Sequence, residues 1–132
     1  MQVRDAMSKA VLMVGPEHTI RQVAAQMSSR RIGSAVVHDP DSEGIGILTE
    51  RDILYAIGRG LDPDVARAGD HLTWDVVYAG PDWTLEDAAA AMVRGGFRHL
   101  VVLDDGEVLG VISVRDVLRV WSEARVTATA RT

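Results

Sequence analysis

Gly46-Ile47-Leu48-Thr49-Glu50-Arg51-Asp52 returns 64 positions later as Gly110-Val111-Ile112-Ser113-Val114-Arg115-Asp116. Upstream, at an offset of 65, Gly15-Pro16-Glu17-His18-Thr19-Ile20 returns as Gly80-Pro81-Asp82-Trp83-Thr84-Leu85, Ala24-Ala25 as Ala89-Ala90, Met27 as Met92 and Val36-Val37 as Val101-Val102. The offset changes where Pro40-Asp41-Ser42-Glu43-Gly44 faces the tighter Asp105-Gly106-Glu107, and lengthening a turn by one residue costs little closure entropy. A tandem duplication follows. Each copy is too short to bury a large core, so two copies are expected to pack on each other about a pseudo-twofold axis, with paired clefts between them.

Both copies carry the same pattern of elements. A short apolar run over 11–14 stops at Gly15-Pro16, and Thr19 is placed to cap a helix whose Ile20, Val23, Ala24 and Met27 fall at i, i+3, i+4 and i+7. In the second copy Thr84 caps, Glu86 and Asp87 sit in the first turn where the helix dipole favours acids, and Leu85, Ala88, Ala89 and Met92 form the inner face. Two β-rich runs follow, 35–38 and 45–48 in one copy, 100–103 and 108–112 in the other, joined by Asp, Gly and Pro turns. A helix closes each copy, over 50–59 and over 114–124, the latter expected to turn Val117, Leu118 and Trp121 inward. Between the copies Asp62-Pro63 reads as an N-cap followed by proline at the first helical position. The small, polar, aperiodic end is expected to fray.

Composition narrows the class of function. The chain has 132 residues, 47% hydrophobic and 25% charged, the makeup of a compact folded domain rather than a disordered one. It has no cysteine, which removes disulfide frameworks and thiolate metal sites. Its net charge of -5 opposes nonspecific nucleic-acid binding. No apolar run approaches the roughly 18 residues a membrane span needs, and the start shows no signal pattern, so a cytoplasmic location and no membrane partner are expected. No Ser/His/Asp or nucleophile-elbow context, no Gly-x-x-x-x-Gly-Lys loop and no paired acids suited to proton transfer are present, so no enzymatic activity is expected. His18, His38, His71 and His99 lack i, i+4 spacing, which speaks against a metal site, and Trp74, Trp83 and Trp121 lack a basic stripe and read as packing or interface residues.

The repeated motif carries the chemistry. Thr49 and Ser113 sit where a strand passes into a helix, so their hydroxyls can cap it while free N–H groups face outward, a corner suited to an anion. Asp52 and Asp116 lie three residues on, on the same side as the hydroxyl, and a carboxylate can accept two hydrogen bonds from a vicinal diol. Two readings stand at this stage. The pattern is also a capping-box variant that only starts a helix. Arg51 and Arg115, just before the aspartates, either reach a phosphate or lie solvated on the outer helix face.

The strand-helix-strand-strand-helix order, the tandem copy and the Gly-apolar-x-Thr/Ser-x-x-Asp motif at Gly46/Thr49/Asp52 and Gly110/Ser113/Asp116 resemble a CBS-domain pair, the Bateman module, over about 3–123. The resemblance implies an α+β, α/β-like fold of tandem β-α-β-β-α repeats. They are placed at 1–61 and 70–124, with a linker over 62–69 and a disordered tail over 125–132. It implies a regulatory module that binds an adenosine-containing ligand, AMP, ADP, ATP or S-adenosylmethionine, in clefts between the repeats, with no required cofactor. In such modules the aspartate holds ribose hydroxyls, the Thr or Ser places ribose or phosphate, and basic residues before the second strand meet phosphate. Those residues are Arg98 and His99 in the second copy, where the first has Gly33-Ser34 with Arg30 and Arg31 slightly earlier. The start of each first strand completes the other copy's cleft, bringing Ser8 and Val11 to Asp116, and Thr73 and Val76 to Asp52. The cleft of Arg98, His99, Ser113 and Asp116 is therefore favoured. A homodimer, with Met27, Met92, Leu54, Leu118 or Trp121 at its surface, and an unknown downstream protein are the implied partners. A ligand-free interaction or scaffold module of the same fold is the alternative.

Overall fold

A computed structural model describes residues 1–39, 41, 44–72, 74 and 77–130, with side chains through residue 124. In chain order the elements are α1 (Val3–Ala6), β1 (Met13–Val14), α2 (Ile20–Arg30), β2 (Ser34–Asp39), β3 (Gly44–Thr49), α3 (Glu50–Gly58), a 3-10 turn (Ala68–Asp70), β4 (Tyr78–Ala79), α4 (Leu85–Gly95), β5 (His99–Asp104), β6 (Glu107–Ser113) and α5 (Val114–Ala130). Two three-stranded sheets result, ordered β1-β2-β3 and β4-β5-β6. In each, the short first strand runs parallel to the second and the second antiparallel to the third. This is the α+β pattern, twice.

The local causes are those the sequence suggested. Thr19 and Thr84 accept the N–H of Gln22 and Asp87, closing reciprocal caps that start α2 and α4. The β5–β6 hairpin turns on Asp105-Gly106, both at positive φ (50° and 77°), the conformation that Asp-Gly turns adopt to match strand twist. Helix α5 continues to Ala130, beyond its expected end near 124.

The chain forms two compact units whose boundaries do not follow the repeats, one of residues 11–76 and one of residues 1–10 with 77–132. The leading segment of each repeat has been exchanged. In the second unit Val3 and Arg4 donate their N–H groups to the carbonyls of Trp83 and Pro81 (2.8 and 3.0 Å), and Leu85 donates to Met1. In the other unit Ala68 and Gly69 donate to His18 and Pro16 (both 2.8 Å), and Ile20 donates to Ala66. These are the same bonds, 65 residues apart. Arg21 adds an exposed ion pair to Asp64, whose hydrogen bond and charge raise the guanidinium pKa further.

Each unit has its own core. Leu12, Val14, Ile20, Val23, Met27, Ala35, Val37 and Leu48 cluster with the incoming Ala68. Ala79, Leu85, Ala88, Ala91, Met92, Leu100, Val102, Ile112 and Val117 cluster with the incoming Val3 and Ala6. One expectation fails here: Leu118 and Trp121 do not face the core but stay 57% and 43% exposed. Helix α5 carries two apolar stripes, and Val117 with Val120 takes the core, leaving Val114, Leu118 and Trp121 at i, i+4 and i+7 outside. Met27 and Met92 are core residues, whereas Leu54 is exposed.

Candidate functional site

The motif sits at the same junction in both units. Ser34 pairs with Thr49 across β2 and β3, and His99 pairs with Ser113 across β5 and β6. Each hydroxyl residue ends its strand and opens the next helix. The first helical N–H is used at once, Glu50 donating to Gly33 O and Val114 to Arg98 O, each at 3.0 Å.

The hydrogen bonds around the hydroxyl and the aspartate are nearly superimposable. Thr49 donates its N–H and its hydroxyl to Asp52 Oδ2 (2.9 and 3.0 Å), and the Asp52 N–H donates back to Thr49 Oγ1 at 3.2 Å. Ser113 donates its N–H and hydroxyl to Asp116 Oδ2 (2.9 and 3.0 Å), and the Asp116 N–H returns to Ser113 Oγ at 3.1 Å. The capping-box reading of the motif is the one this geometry shows. The box consumes only one carboxylate oxygen. The anion corner is smaller than the sequence suggests. With the first and third N–H groups of the turn already paired, only those of Arg51 and Arg115 remain open among the described residues, so an anion here depends on side chains.

The second unit gathers most of the expected residues. Ser8 crosses β6, exchanging two backbone hydrogen bonds with Val111 (2.9 and 3.0 Å), two positions before Ser113. Gly110 permits that crossing: a Cβ there would lie 2.4 Å from the Ser8 carbonyl. The motif glycine is thus a close-approach glycine. Arg98 is exposed and has no ion pair among the described residues, and Arg115 is likewise exposed. Sequence reading missed Arg119. Its Nη1 lies 3.4 Å from Asp116 Oδ1 and its Nη2 donates to Ala6 O at 3.2 Å. The i, i+3 spacing from Asp116 was visible as an acid–base pair on one helix face, but the Ala6 carbonyl depends on the exchanged segment.

In the first unit Asp52 Oδ1 carries no partner among the described residues. Arg51 does not approach the motif hydroxyl: its Nε donates to the Tyr55 hydroxyl at 3.0 Å, with the guanidinium 5.3 Å from the ring centroid. Val11 stands half-buried just before β1. Thr73 and Val76 lie outside the described residues.

The CBS domain family model matches residues 3–59 and 68–123. The chain belongs to the CBS domain family. Both matches begin with the segments that the fold exchanges, so a CBS repeat along the sequence and a packed unit in space are cut at different places. An uncharacterized protein of Acidianus ambivalens is 35% identical over 120 residues, covering 89% of this chain and 71% of that one. Among solved structures, a CBS-domain containing protein of Agrobacterium tumefaciens has a TM-score of 0.81 at 31% identity, over 91% of this chain and 98% of that one. A CBS domain protein of Pyrobaculum aerophilum, solved in complex with AMP, has a TM-score of 0.79 at 29% identity, over 88% and 89% of the two chains. No helix among the described residues is long and apolar enough to cross a membrane.

Proposed function

We propose that this CBS pair is a non-catalytic regulatory sensor of an adenosine-containing ligand, held by its ribose diol on the motif aspartates. The observation that carries the reading is the carboxylate oxygen that the capping box leaves over, most openly Oδ1 of Asp52. An oxygen with two lone pairs can take both hydroxyls of a vicinal diol. Arg98, Arg115 and His99 stand near Ser113 as candidates to meet a phosphate, and the AMP complex of the Pyrobaculum relative supports the ligand class. Binding would act by favouring whichever arrangement of the protein it fits better.

Calorimetric titration with AMP, ADP, ATP and S-adenosylmethionine tests this. At least one ligand is expected to give saturable heat and to raise the melting temperature, since a ligand at a hundredfold its Kd adds about 2.7 kcal/mol to stability. The double variant Asp52→Asn, Asp116→Asn, which keeps the caps, should abolish the heat. No heat from any of the four with folded protein would discard the sensor in favour of a scaffold module.

The same reading includes a homodimer. Val114, Leu118 and Trp121 form an exposed apolar stripe on α5, and Leu54 and Ile57 form one on α3, surface of a kind that a soluble monomer rarely leaves uncovered. Sedimentation should give a dimer mass, and the combined Leu54→Glu, Leu118→Glu variant a monomer. A wild-type monomer at all concentrations would remove the dimer.

A further inference from the structure

The two motif carboxylates are built alike and left unlike. Each spends Oδ2 on the N–H and hydroxyl of its own cap, which fills both lone pairs of that oxygen. Among the described residues Oδ1 of Asp52 then keeps both acceptor positions. Oδ1 of Asp116 is ion-paired with Nη1 of Arg119 at 3.4 Å, without a hydrogen bond between them. A vicinal diol donates twice, so the first copy can take it directly, whereas in the second the diol competes with the guanidinium beside Oδ1. The position matching Arg119 in the first copy is Tyr55, which cannot play that part. Arg119 has a second attachment: Nη2 holds the Ala6 carbonyl at 3.2 Å, so the side chain on Asp116 also ties the end of α1 to α5.

The geometry points to Arg119 as an internal occupant of the second carboxylate. It makes Asp52 the stronger diol site and couples ligand entry at Asp116 to release of α1. This rests on the adenosine reading for the ligand class, and adds which copy loads first and what the second ligand displaces. The bias is modest. Asp116 is nearly buried, its side chain 14% exposed, but Arg119 is 53% exposed, and pairs of that kind shift an equilibrium by up to about fivefold. That suffices to rank two sites while leaving the occupant displaceable.

Adenosine, which carries the diol without the phosphate that Arg98, His99 and Arg115 would meet, is the probe, titrated into wild type, Asp52→Asn, Asp116→Asn, Arg119→Met and Arg119→Lys, with hydrogen exchange of residues 3–8 followed without ligand. The tighter adenosine site should vanish in Asp52→Asn and survive in Asp116→Asn. Arg119→Met should tighten the weaker site by about fivefold, and Arg119→Lys, which keeps a charge on Asp116, should not. Exchange at Val3, Arg4 and Ser8 should quicken in both Arg119→Met and Asp116→Asn. Loss of the tighter site in Asp116→Asn, or an Arg119→Met protein with the wild-type ratio of affinities, overturns the inference. If adenosine gives no heat with either wild type or Arg119→Met, the adenosine reading fails. The exchange data then decide alone: quickening keeps Arg119 as the link between Asp116 and α1, and unchanged rates remove it.

Discussion

Gly110→Val is expected to unseat the N-terminal segment and to cost about 3 kcal/mol of stability. A Cβ at 110 would stand 2.4 Å from the Ser8 carbonyl and 3.1 Å from Met7 Sδ. The nearer atom is backbone, and the Val111 N–H fixes it at 3.0 Å, so no rotamer change relieves the clash. Either β6 bends or the segment leaves. Leaving breaks both Ser8–Val111 bonds, each worth about 1 kcal/mol net, and loosens Val3 and Ala6, which are 0% and 2% exposed in the core of the second unit. Denaturant unfolding should show a lower midpoint, and exchange at residues 3–8 should approach the unfolded rate. Gly58→Ala is the control, because nothing lies within 4 Å of a Cβ there. Its stability should stay level or rise by about 0.5–1 kcal/mol. A Gly110→Val protein as stable as wild type would mean that the motif glycine does not serve the crossing segment.

The strand-helix-strand-strand-helix order of each copy was legible because local signals set it, while α1 and the 3-10 turn at Ala68–Asp70 were not foreseen. Thr19 and Thr84 cap where their spacing to Gln22 and Asp87 requires, and the Asp105-Gly106 turn fixes the β5–β6 hairpin. Exchange of the leading segments was not legible from periodicity. Val3 and Ala68 occupy equivalent places in the two units, and no local spacing records which unit each joins. The same limit misassigned α5. Two apolar stripes at helical spacing are equivalent on paper, and only packing distinguishes Val117, which is buried, from Leu118, which is not.

The site was legible as residue types and less so as a circuit. Pairing of Thr49 with Asp52 and of Ser113 with Asp116 follows from a three-residue separation at a helix start. Which carboxylate oxygen remains open does not follow. That depends on Arg119, whose second contact is a carbonyl more than a hundred positions away in the chain, and on Tyr55, which holds Arg51 on the outer face.

Leu100→Ala should be the costliest truncation, about 3–4 kcal/mol, and comparison of the two cores shows why. Leu100 is fully buried, and its counterpart 65 positions earlier is Ala35, which the first unit tolerates. That tolerance has a source. Where the second core has Ala79 and Ala88, the first has Val14 and Val23, so methyl groups removed from the strand are returned by its neighbours. Leu100→Ala alone would therefore leave a cavity that two alanines cannot fill. Adding Ala88→Val should recover about 1 kcal/mol, a non-additive gain expected of side chains sharing one space. Ala35→Leu, placed beside valines, should instead overpack and cost about 1–3 kcal/mol. Calorimetric unfolding of these three variants and of Ala88→Val alone closes the test. A strictly additive double variant would mean that the cores are not built by exchanging volume between strand and helix.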